Sequence, residues 1–293
     1  MYKIVEKRKL ADAIYLFKIE AHWIANSANP GQFLIVRLGR NGERIPLTIC
    51  DYDKALGTVT IVVQEIGNSS KMICKLDVGD CFNDVVGPLG NKSNFVSFDD
   101  NILKNKKYLF IAGGVGAAPV YPQVKYLYEK GASVDVIVGA KNSSMLILEK
   151  ELSLVCNNLY ICTDDGSKGY KGLVTNMLQK LLDTGEKYDE MVAIGPMIMM
   201  KFVTLAAKPY NIPLIVSLNT LMVDGTGMCG ACRVTVGGKV RFTCVDGPEF
   251  NAYEVDFDEA LRRQTIYRSQ ELSESEKKSL LKEDSNIKCA CDK

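Results

Sequence analysis

Apolar and polar residues alternate in short runs over roughly the first third of the chain. Three of these runs occupy positions 13–19, 32–38 and 57–63, and turn-forming residues separate them. Repeated short strands with turn signals between them are typical of a β-barrel or a β-sandwich. The pattern therefore predicts an all-β domain over residues 1–98.

The rhythm changes to strand followed by helix at about position 107. An apolar run at 108–112 leads into a glycine turn, a helical stretch reaches Lys130, and a second apolar run follows at 133–138. This order predicts a βαβ unit, which requires parallel strands in a sheet covered by helices. We assign residues 99–216 to this α/β domain.

A third texture begins near Leu218. Positions 233–236 and 239–244 predict two short strands joined by Gly237-Gly238, and a Gly-Gly link is a strong hairpin signal. We assign residues 217–258 to this small domain. The remaining residues, 259–293, are polar, charged and free of glycine, and they predict a charged extension. Within it, residues 273–288 fit an exposed helix or, equally well, a frayed tail.

Composition limits the classes of function. The 293 residues carry a formal net charge of +1, which gives no indication of a nucleic-acid partner. The longest uncharged stretch, 108–124, is interrupted by glycines and prolines, so we expect no membrane span. The N-terminus has no apolar signal core, and the ten cysteines then fit a reduced compartment, which predicts a cytoplasmic protein.

Four residues of the third segment have the spacing of an iron-sulfur site. Asp224 is followed by Cys229, Cys232 and Cys244, which is the plant-type C-x4-C-x2-C spacing with a distant fourth cysteine, except that aspartate takes the first position. The spacing predicts a [2Fe-2S] cluster. A zinc site, a redox pair of cysteines and buried structural cysteines remain open alternatives, and Asp224 could equally belong to an ordinary Asp-Gly turn.

Glycine-marked turns follow three apolar strands of the α/β segment. Glycines between a strand and a helix let the phosphates of a dinucleotide approach backbone N–H groups. Alone this is a weak signal, because a plain strand-to-helix turn has the same glycines. The candidate nucleotide-binding residues are Gly113, Gly114, Gly116, Ala117, Pro119, Asp164, Gly195, Pro196 and Met197.

Taken together, the β-rich start, the Gly-Gly-x-Gly-x-x-Pro turn, the later Gly-Pro-Met turn and the ferredoxin-like loop resemble the ferredoxin-NADP reductase superfamily. Their order is similar to that of dihydroorotate dehydrogenase electron-transfer subunits. The aspartate at position 224 is most similar to the small subunits of NADH-dependent ferredoxin:NADP oxidoreductases and sulfide dehydrogenases. The resemblance covers roughly residues 1–258, and the cluster loop is its most specific part.

The resemblance implies a ferredoxin reductase-like FAD barrel, with Thr48 near the reactive N5 of the flavin. The chain departs from the family pattern at one point, because Ile45 takes the position of the arginine and Arg44 comes one residue early. Gly67 to Ser70 resemble the phosphate-binding turn of the family. The implied flavin-binding residues are Arg44, Pro46, Leu47, Thr48, Val62, Val63, Gln64, Gly67, Ser69 and Ser70.

The resemblance also implies an NAD(P) site on the α/β domain. Ile194 replaces the cysteine that commonly precedes the Gly-Pro turn. This change alters the tuning of hydride transfer more than the ability to carry it out. The loop at 139–144 has one lysine and no arginine, so the sequence favours NAD(H) over its phosphorylated form.

The implied activity is electron transfer between NAD(H), FAD and a [2Fe-2S] cluster, which passes electrons singly to or from a larger partner subunit with another flavin and [4Fe-4S] clusters. The resemblance favours a heterodimeric electron-bifurcating oxidoreductase, with ferredoxin reached through the partner. Two alternatives stay open. One is an electron-transfer subunit of dihydroorotate or sulfide dehydrogenase, and the other is a docking subunit that holds only a cluster.

Overall fold

The computed structural model describes residues 2–39 and 42–266, and its first part is a nearly closed antiparallel barrel. The strands lie in the spatial order β6-β1-β2-β5-β4-β3-β7. In chain order the elements are β1 (Tyr2–Ala11), β2 (Ile14–Glu20), α1 (His22–Ser27), β3 (Phe33–Arg37), β4 (Ile45–Asp53), β5 (Thr58–Gln64), α2 (Asn68–Cys74), β6 (Cys81–Phe82) and β7 (Asp84–Leu89).

The barrel confirms the all-β prediction for the first segment. Its interior is filled by alternating inward residues, among them Phe17 and Ile19 of β2 and Ile61 of β5, all fully buried. Inward apolar residues at every second position are what a strand with one buried face requires. The period-two pattern of the sequence therefore gives these strands the apolar face that lines the inside of the barrel.

The second part is a sheet with helices on both faces. The strands lie in the order β11-β10-β9-β8-β12-β13-β16, and all pair in parallel except the edge strand β16 (Glu249–Asn251). In chain order the elements are α3 (Asp100–Leu103), β8 (Lys107–Gly113), α4 (Ala117–Glu129), β9 (Ser133–Ala140), α5 (Glu149–Ser153), β10 (Asn158–Thr163), β11 (Tyr170–Lys171), α6 (Val174–Asp183), β12 (Glu190–Ile194), α7 (Met197–Ala207) and β13 (Leu214–Ser217).

The five strands β10, β9, β8, β12 and β13 have the order of a dinucleotide-binding sheet, with the chain reversing its direction of progress between β8 and β12. Ligands of such sheets bind at this reversal, beyond the carboxyl ends of the strands. The central strands are buried along nearly their whole length, because helices cover both faces. The predicted βαβ unit is confirmed.

The third part adds a hairpin and an extra edge strand. Its elements are β14 (Arg233–Val236), β15 (Lys239–Phe242), α8 (Thr243–Asp246), β16 (Glu249–Asn251) and α9 (Phe257–Arg263). The hairpin turns at Gly237-Gly238 as predicted, with both glycines at positive φ. The prediction that the second strand reaches residue 244 was wrong. It ends at Phe242, whose N–H is bonded to Asp246 Oδ2 at 2.7 Å, and Cys244 lies in the helical turn α8.

The described part of the chain contains no helix that is long and apolar enough to cross a membrane. Helix α9 passes the predicted boundary at 258/259, and its residues Phe257 and Ala260 are buried against the nucleotide domain. The predicted helix over 273–288 lies outside the described residues.

Candidate functional site

The four predicted cluster ligands form two close pairs. The Cys229 thiol donates to Asp224 Oδ1 over 3.3 Å, and the sulfur atoms of Cys232 and Cys244 are 3.2 Å apart. A plant-type [2Fe-2S] cluster is held by four anionic ligands, two on each iron. The number, chemistry and pairing of these donors fit such a cluster, and a glycine-rich loop carries three of them.

The Asp224 carboxylate is held as an anion by the loop itself. Its oxygens accept the N–H groups of Thr226, Met228 and Cys229 at 3.0–3.2 Å and the Thr226 hydroxyl at 3.1 Å. Desolvation raises the pKa of this carboxyl, but the hydrogen bonds from Thr226 and Cys229 outweigh it and lower the pKa to about 2. Asp224 is therefore ionised at neutral pH before any metal binds.

The second pair lies in an apolar pocket. Cys232 and Cys244 are each 1% exposed and pack with Phe33 and Ile35 of β3 and with Met222. Burial, together with the neighbouring Cys232 thiol, raises the pKa of Cys244 to about 12. A metal must displace the thiol proton here, because deprotonated sulfur is the form that binds iron.

Two contacts join this loop to the barrel. A Cβ atom at Gly225, where φ is +76°, would lie 2.4 Å from Ile35 Cδ1, so only glycine permits this approach. The Arg44 guanidinium donates to the carbonyl oxygens of Val223 at 3.2 Å and Asp224 at 3.0 Å. Arg44, which the resemblance implies as a flavin-binding residue, thus holds the cluster loop in this structure.

The predicted flavin strip lies beside the same pocket. Thr48 of β4 is the cross-strand partner of Phe33, which packs against the buried cysteine pair. Val62, Val63 and Gln64 form the end of β5, two strands from β3. Strand β3 therefore links the two, because it pairs with the Thr48 strand and contributes Phe33 and Ile35 to the cluster pocket.

The predicted phosphate turn has a donor directed at an anion. The Ser69 hydroxyl donates to the Glu43 carboxylate, while Ser70 Oγ accepts the N–H groups of Ile66 at 3.0 Å and Gly67 at 2.9 Å. Gly67 has open space where a side chain would be. A carboxylate occupies the position next to Ser69 that a phosphate oxygen could take, which fits the predicted role of the turn.

The two glycine turns of the nucleotide domain touch each other at the reversal of the sheet. A Cβ at Gly116 would lie 2.2 Å from the Ile194 carbonyl oxygen, and a Cβ at Gly195 would lie 3.1 Å from Gly113 Cα. Gly114, with φ of +56°, faces open space. Pro196 directly precedes α7, and Ala117 and Pro119 lie in the first turn of α4.

The sequence did not single out Met199. Its sulfur would lie 2.3 Å from a Cβ placed on Gly113, and its methyl group 2.8 Å from one placed on Gly195. The side chain therefore covers both turns where a nicotinamide would approach. Met199 is one of three methionines in the apolar helix α7, and nothing in the sequence distinguished it from the other two.

Asp164 lies at the carboxyl end of β10, next to the loop that follows β9. The Asp164 N–H donates to Ala140 at 3.1 Å, and the Ser143 N–H donates to Ser167 Oγ at 2.7 Å. Lys168, in the turn that follows β10, pairs with Glu149 at 2.8 Å.

Two family models match the chain. The iron-sulfur cluster binding domain of dihydroorotate dehydrogenase B matches residues 219–256, and the oxidoreductase NAD-binding domain matches residues 110–204. The two matches cover the segments that carry the predicted cluster ligands and most of the glycine-marked turns of the nucleotide domain.

Full-length relatives extend the likeness to the barrel. A Thermotoga maritima protein described as a homologue of the dihydroorotate dehydrogenase B (NAD(+)) electron transfer subunit is 45% identical over 92% of each chain. The corresponding Listeria innocua subunit is 33% identical over 86% of this chain and 97% of its own. A solved structure of NADH-dependent reduced ferredoxin-NADP oxidoreductase, described in terms of flavin-based electron bifurcation, superposes with a TM-score of 0.87 and 42% identity, covering 94% and 97% of the two chains.

Proposed function

Because the chain belongs to the family of dihydroorotate dehydrogenase B electron-transfer subunits and their homologues, within the ferredoxin-NADP reductase superfamily, we propose that it is the NAD(H)-linked subunit of an electron-bifurcating oxidoreductase. It is an electron-transfer protein with an NAD-binding and an iron-sulfur-binding domain. The proposal divides it into an FAD barrel (1–98), an NAD domain (99–216), a cluster domain (217–258) and an extension (259–293).

The observation that carries the proposal is the contact between the flavin strip and the cluster pocket. Phe33 pairs with Thr48 on one side and packs against Cys232 and Cys244 on the other. When bound, FAD would accept a hydride from NADH and release the electrons one at a time. Because Phe33 is shared by the two sites, this contact supports electron transfer from one to the other.

The residues of the chain supply binding and orientation. The turns at Gly113 to Gly116 and at Gly195 would admit the dinucleotide, and Met199 would pack against its nicotinamide end. Ser69 and Ser70 would hold the flavin phosphates, with Thr48 directed at the isoalloxazine edge. Met228, 89% exposed in the cluster loop, leaves this side of the site open to a partner protein.

We propose that the partner is a larger subunit with its own flavin and [4Fe-4S] clusters, in a heterodimer or a multiple of it, through which ferredoxin and NADP are reached. The similarity to the bifurcating structure over 94% of this chain favours this assignment. The similarity to the Thermotoga relative, described as a dihydroorotate dehydrogenase B electron transfer subunit homologue, favours a second candidate, a subunit that serves dihydroorotate oxidation. Purification of the native complex separates them, since a subunit with two [4Fe-4S] motifs indicates bifurcation and a lone β/α-barrel indicates dihydroorotate chemistry.

The purified full-length chain tests the electron-transfer function directly. We expect a flavin band near ~450 nm in addition to the absorption of a [2Fe-2S] cluster. Anaerobic NADH should bleach the flavin and produce the electron paramagnetic resonance (EPR) signal of a reduced cluster. A protein with cluster absorption but no flavin and no response to NADH would instead be the docking subunit.

Replacing Asp224 by cysteine should change the cluster potential while leaving the fold intact. A carboxylate oxygen is a harder ligand than a thiolate and donates less electron density to iron. We therefore expect Asp224→Cys to keep its iron and to have a lower cluster potential in an EPR-monitored redox titration. Asp165→Cys, in an exposed turn of the nucleotide domain, is the control for an added thiol. An unchanged potential and unchanged electron transfer would exclude Asp224 as a tuning ligand.

A further inference from the structure

Glu249 of β16 lies where the three parts of the chain meet. Ser93, in the link between barrel and sheet, donates its hydroxyl to Glu249 Oε1 over 2.8 Å and is itself fully buried. Gly31, which leads into β3, packs against both. A Cβ there would lie 2.4 Å from Ser93 Oγ and 2.9 Å from Glu249 Oε1. The carboxyl group is thus fixed between the barrel, the link and the edge strand.

The surroundings of this carboxyl favour its neutral form. Gln123 of α4 adjoins it and is fully buried, yet neither of its amide atoms has a hydrogen bond of good geometry. The like charge of Glu190 on β12 also acts on this carboxyl. Glu190 is the cross-strand partner of Tyr108 of β8, whose buried hydroxyl has no hydrogen-bond partner. This amide can serve either form of Glu249, because its nitrogen can donate to the carboxylate and its oxygen can accept from the protonated carboxyl.

Burial is the largest cause of this preference and Glu190 adds to it, while Ser93 and Gln123 act against it. Together they raise the pKa of Glu249 to about 7. Among the described residues, the groups that act on this carboxyl include no cation, and Lys106 acts instead on Glu190. Glu249 can therefore change its protonation near neutral pH, without an ion pair that would hold it charged.

Glu249 is also close to the cluster pocket. It follows the ligand Cys244 by five residues, which places the two Cα atoms within about 18 Å of each other. The space between is packed, since a Cβ at Gly90 would lie 2.9 Å from the Phe33 ring and 3.0 Å from Pro248. Phe33 in turn packs against the buried cysteine pair. Pro248, Gly90 and Phe33 therefore connect the half-buried Glu249 to the cysteine pair through contiguous protein contacts.

We propose that Glu249 is a redox-linked proton acceptor, which takes up one proton when the cluster pocket gains an electron and releases it when the electron leaves. The inference rests on the proposed function. The electron comes from the reduced flavin and the proton from solvent. The only bond that forms is the O–H bond of Glu249, so the added negative charge is neutralised within the protein.

The size of the effect follows from Coulomb's law. One charge about 15 Å away, at an effective dielectric constant of about 20, raises the proton affinity of a carboxylate about five- to tenfold. The same factor must appear in the affinity of the pocket for its electron, because the two equilibria are linked.

The test is an EPR-monitored redox titration of the cluster between pH 5.5 and 9. In the wild-type chain we expect the potential to fall by about 40–60 mV in total as the pH rises, which is the five- to tenfold change at about 59 mV per tenfold. In Glu249→Gln, which keeps the size of the side chain and a partner for Ser93, the potential should not depend on pH over this range.

Glu254→Gln is the matched control, because Glu254 is an exposed carboxylate five residues further on. It should retain the wild-type pH dependence. A wild-type potential that is independent of pH, or a pH dependence that persists in Glu249→Gln, would overturn the proposal. Absence of any cluster signal in the wild-type chain would instead refute the proposed function.

A second measurement uses protein without a bound cluster. The folded state raises the pKa of Glu249 above its unfolded value, so the neutral carboxyl contributes full stability below the unfolded pKa. That contribution is lost as the pH rises through about 7. The denaturation midpoint of cluster-free wild-type chain should therefore fall between pH 5 and 8 relative to that of Glu249→Gln. If the denaturation midpoints of the two proteins change with pH in the same way, Glu249 does not titrate over this range.

Discussion

Cys232→Ala is expected to remove the iron from the protein while leaving the nucleotide half functional. Cys232 is 1% exposed and its sulfur lies 3.2 Å from that of Cys244, so its loss leaves one iron with a single protein ligand. We expect iron to fall from about two atoms per chain to nearly none, since each cluster needs all four ligands. Electron delivery to the partner subunit should fall at least about a hundredfold, which is about 2.7 kcal/mol.

The measurements are iron content, the EPR signal of the dithionite-reduced chain and the rate of flavin bleaching by NADH. The last should change less than about twofold, because hydride transfer precedes the cluster. Cys162→Ala is the matched control, since Cys162 is equally buried but lies on β10 in the nucleotide sheet. If Cys232→Ala retains its iron, or if the control loses it, the assignment of the four ligands is wrong.

The sequence predicted the proximity of the candidate ligands because its signal is local. Asp224, Cys229 and Cys232 lie on one loop, so their spacing alone determines which side chains can meet. Cys244 was predicted correctly as a neighbour but wrongly as part of a strand. The bond from Phe242 to Asp246 that turns the chain into α8 is a side-chain contact, and strand periodicity contains no information about it.

Contacts between distant segments could not be predicted in the same way. Arg44 and Val223 are 179 residues apart, and only the folded barrel brings the guanidinium to the cluster loop. The position of Met199 over the nucleotide site arises only because two glycine turns touch, and the surroundings of Glu249 arise only where three parts of the chain meet. The barrel and the parallel sheet were predictable because their hydrophobic periods persist over many residues.

Gly114→Asp should disable the nucleotide site without unfolding the domain. Gly114 has φ of +56° and open space around the position of a Cβ. Aspartate tolerates this left-handed conformation better than most residues. Its carboxylate would stand between β8 and α4, where the phosphates of a dinucleotide are expected, and would repel them. We expect KM for NADH to rise by a factor of about 10–100, since two charges in contact near a protein surface cost a few kcal/mol.

Two further variants separate charge from bulk and from backbone strain. Gly114→Asn has the same shape without the charge, and we expect its KM to rise less than that of Gly114→Asp. Gly185→Asp places the same residue at φ of +86° and in equally open space, in the turn between α6 and β12 at the opposite end of the sheet. Its KM should stay within about twofold of wild type, as expected for an exposed substitution. Equal KM values for all three variants would remove the Gly113–Gly116 turn from the nucleotide site, whereas a graded series would show that an anion binds against this turn.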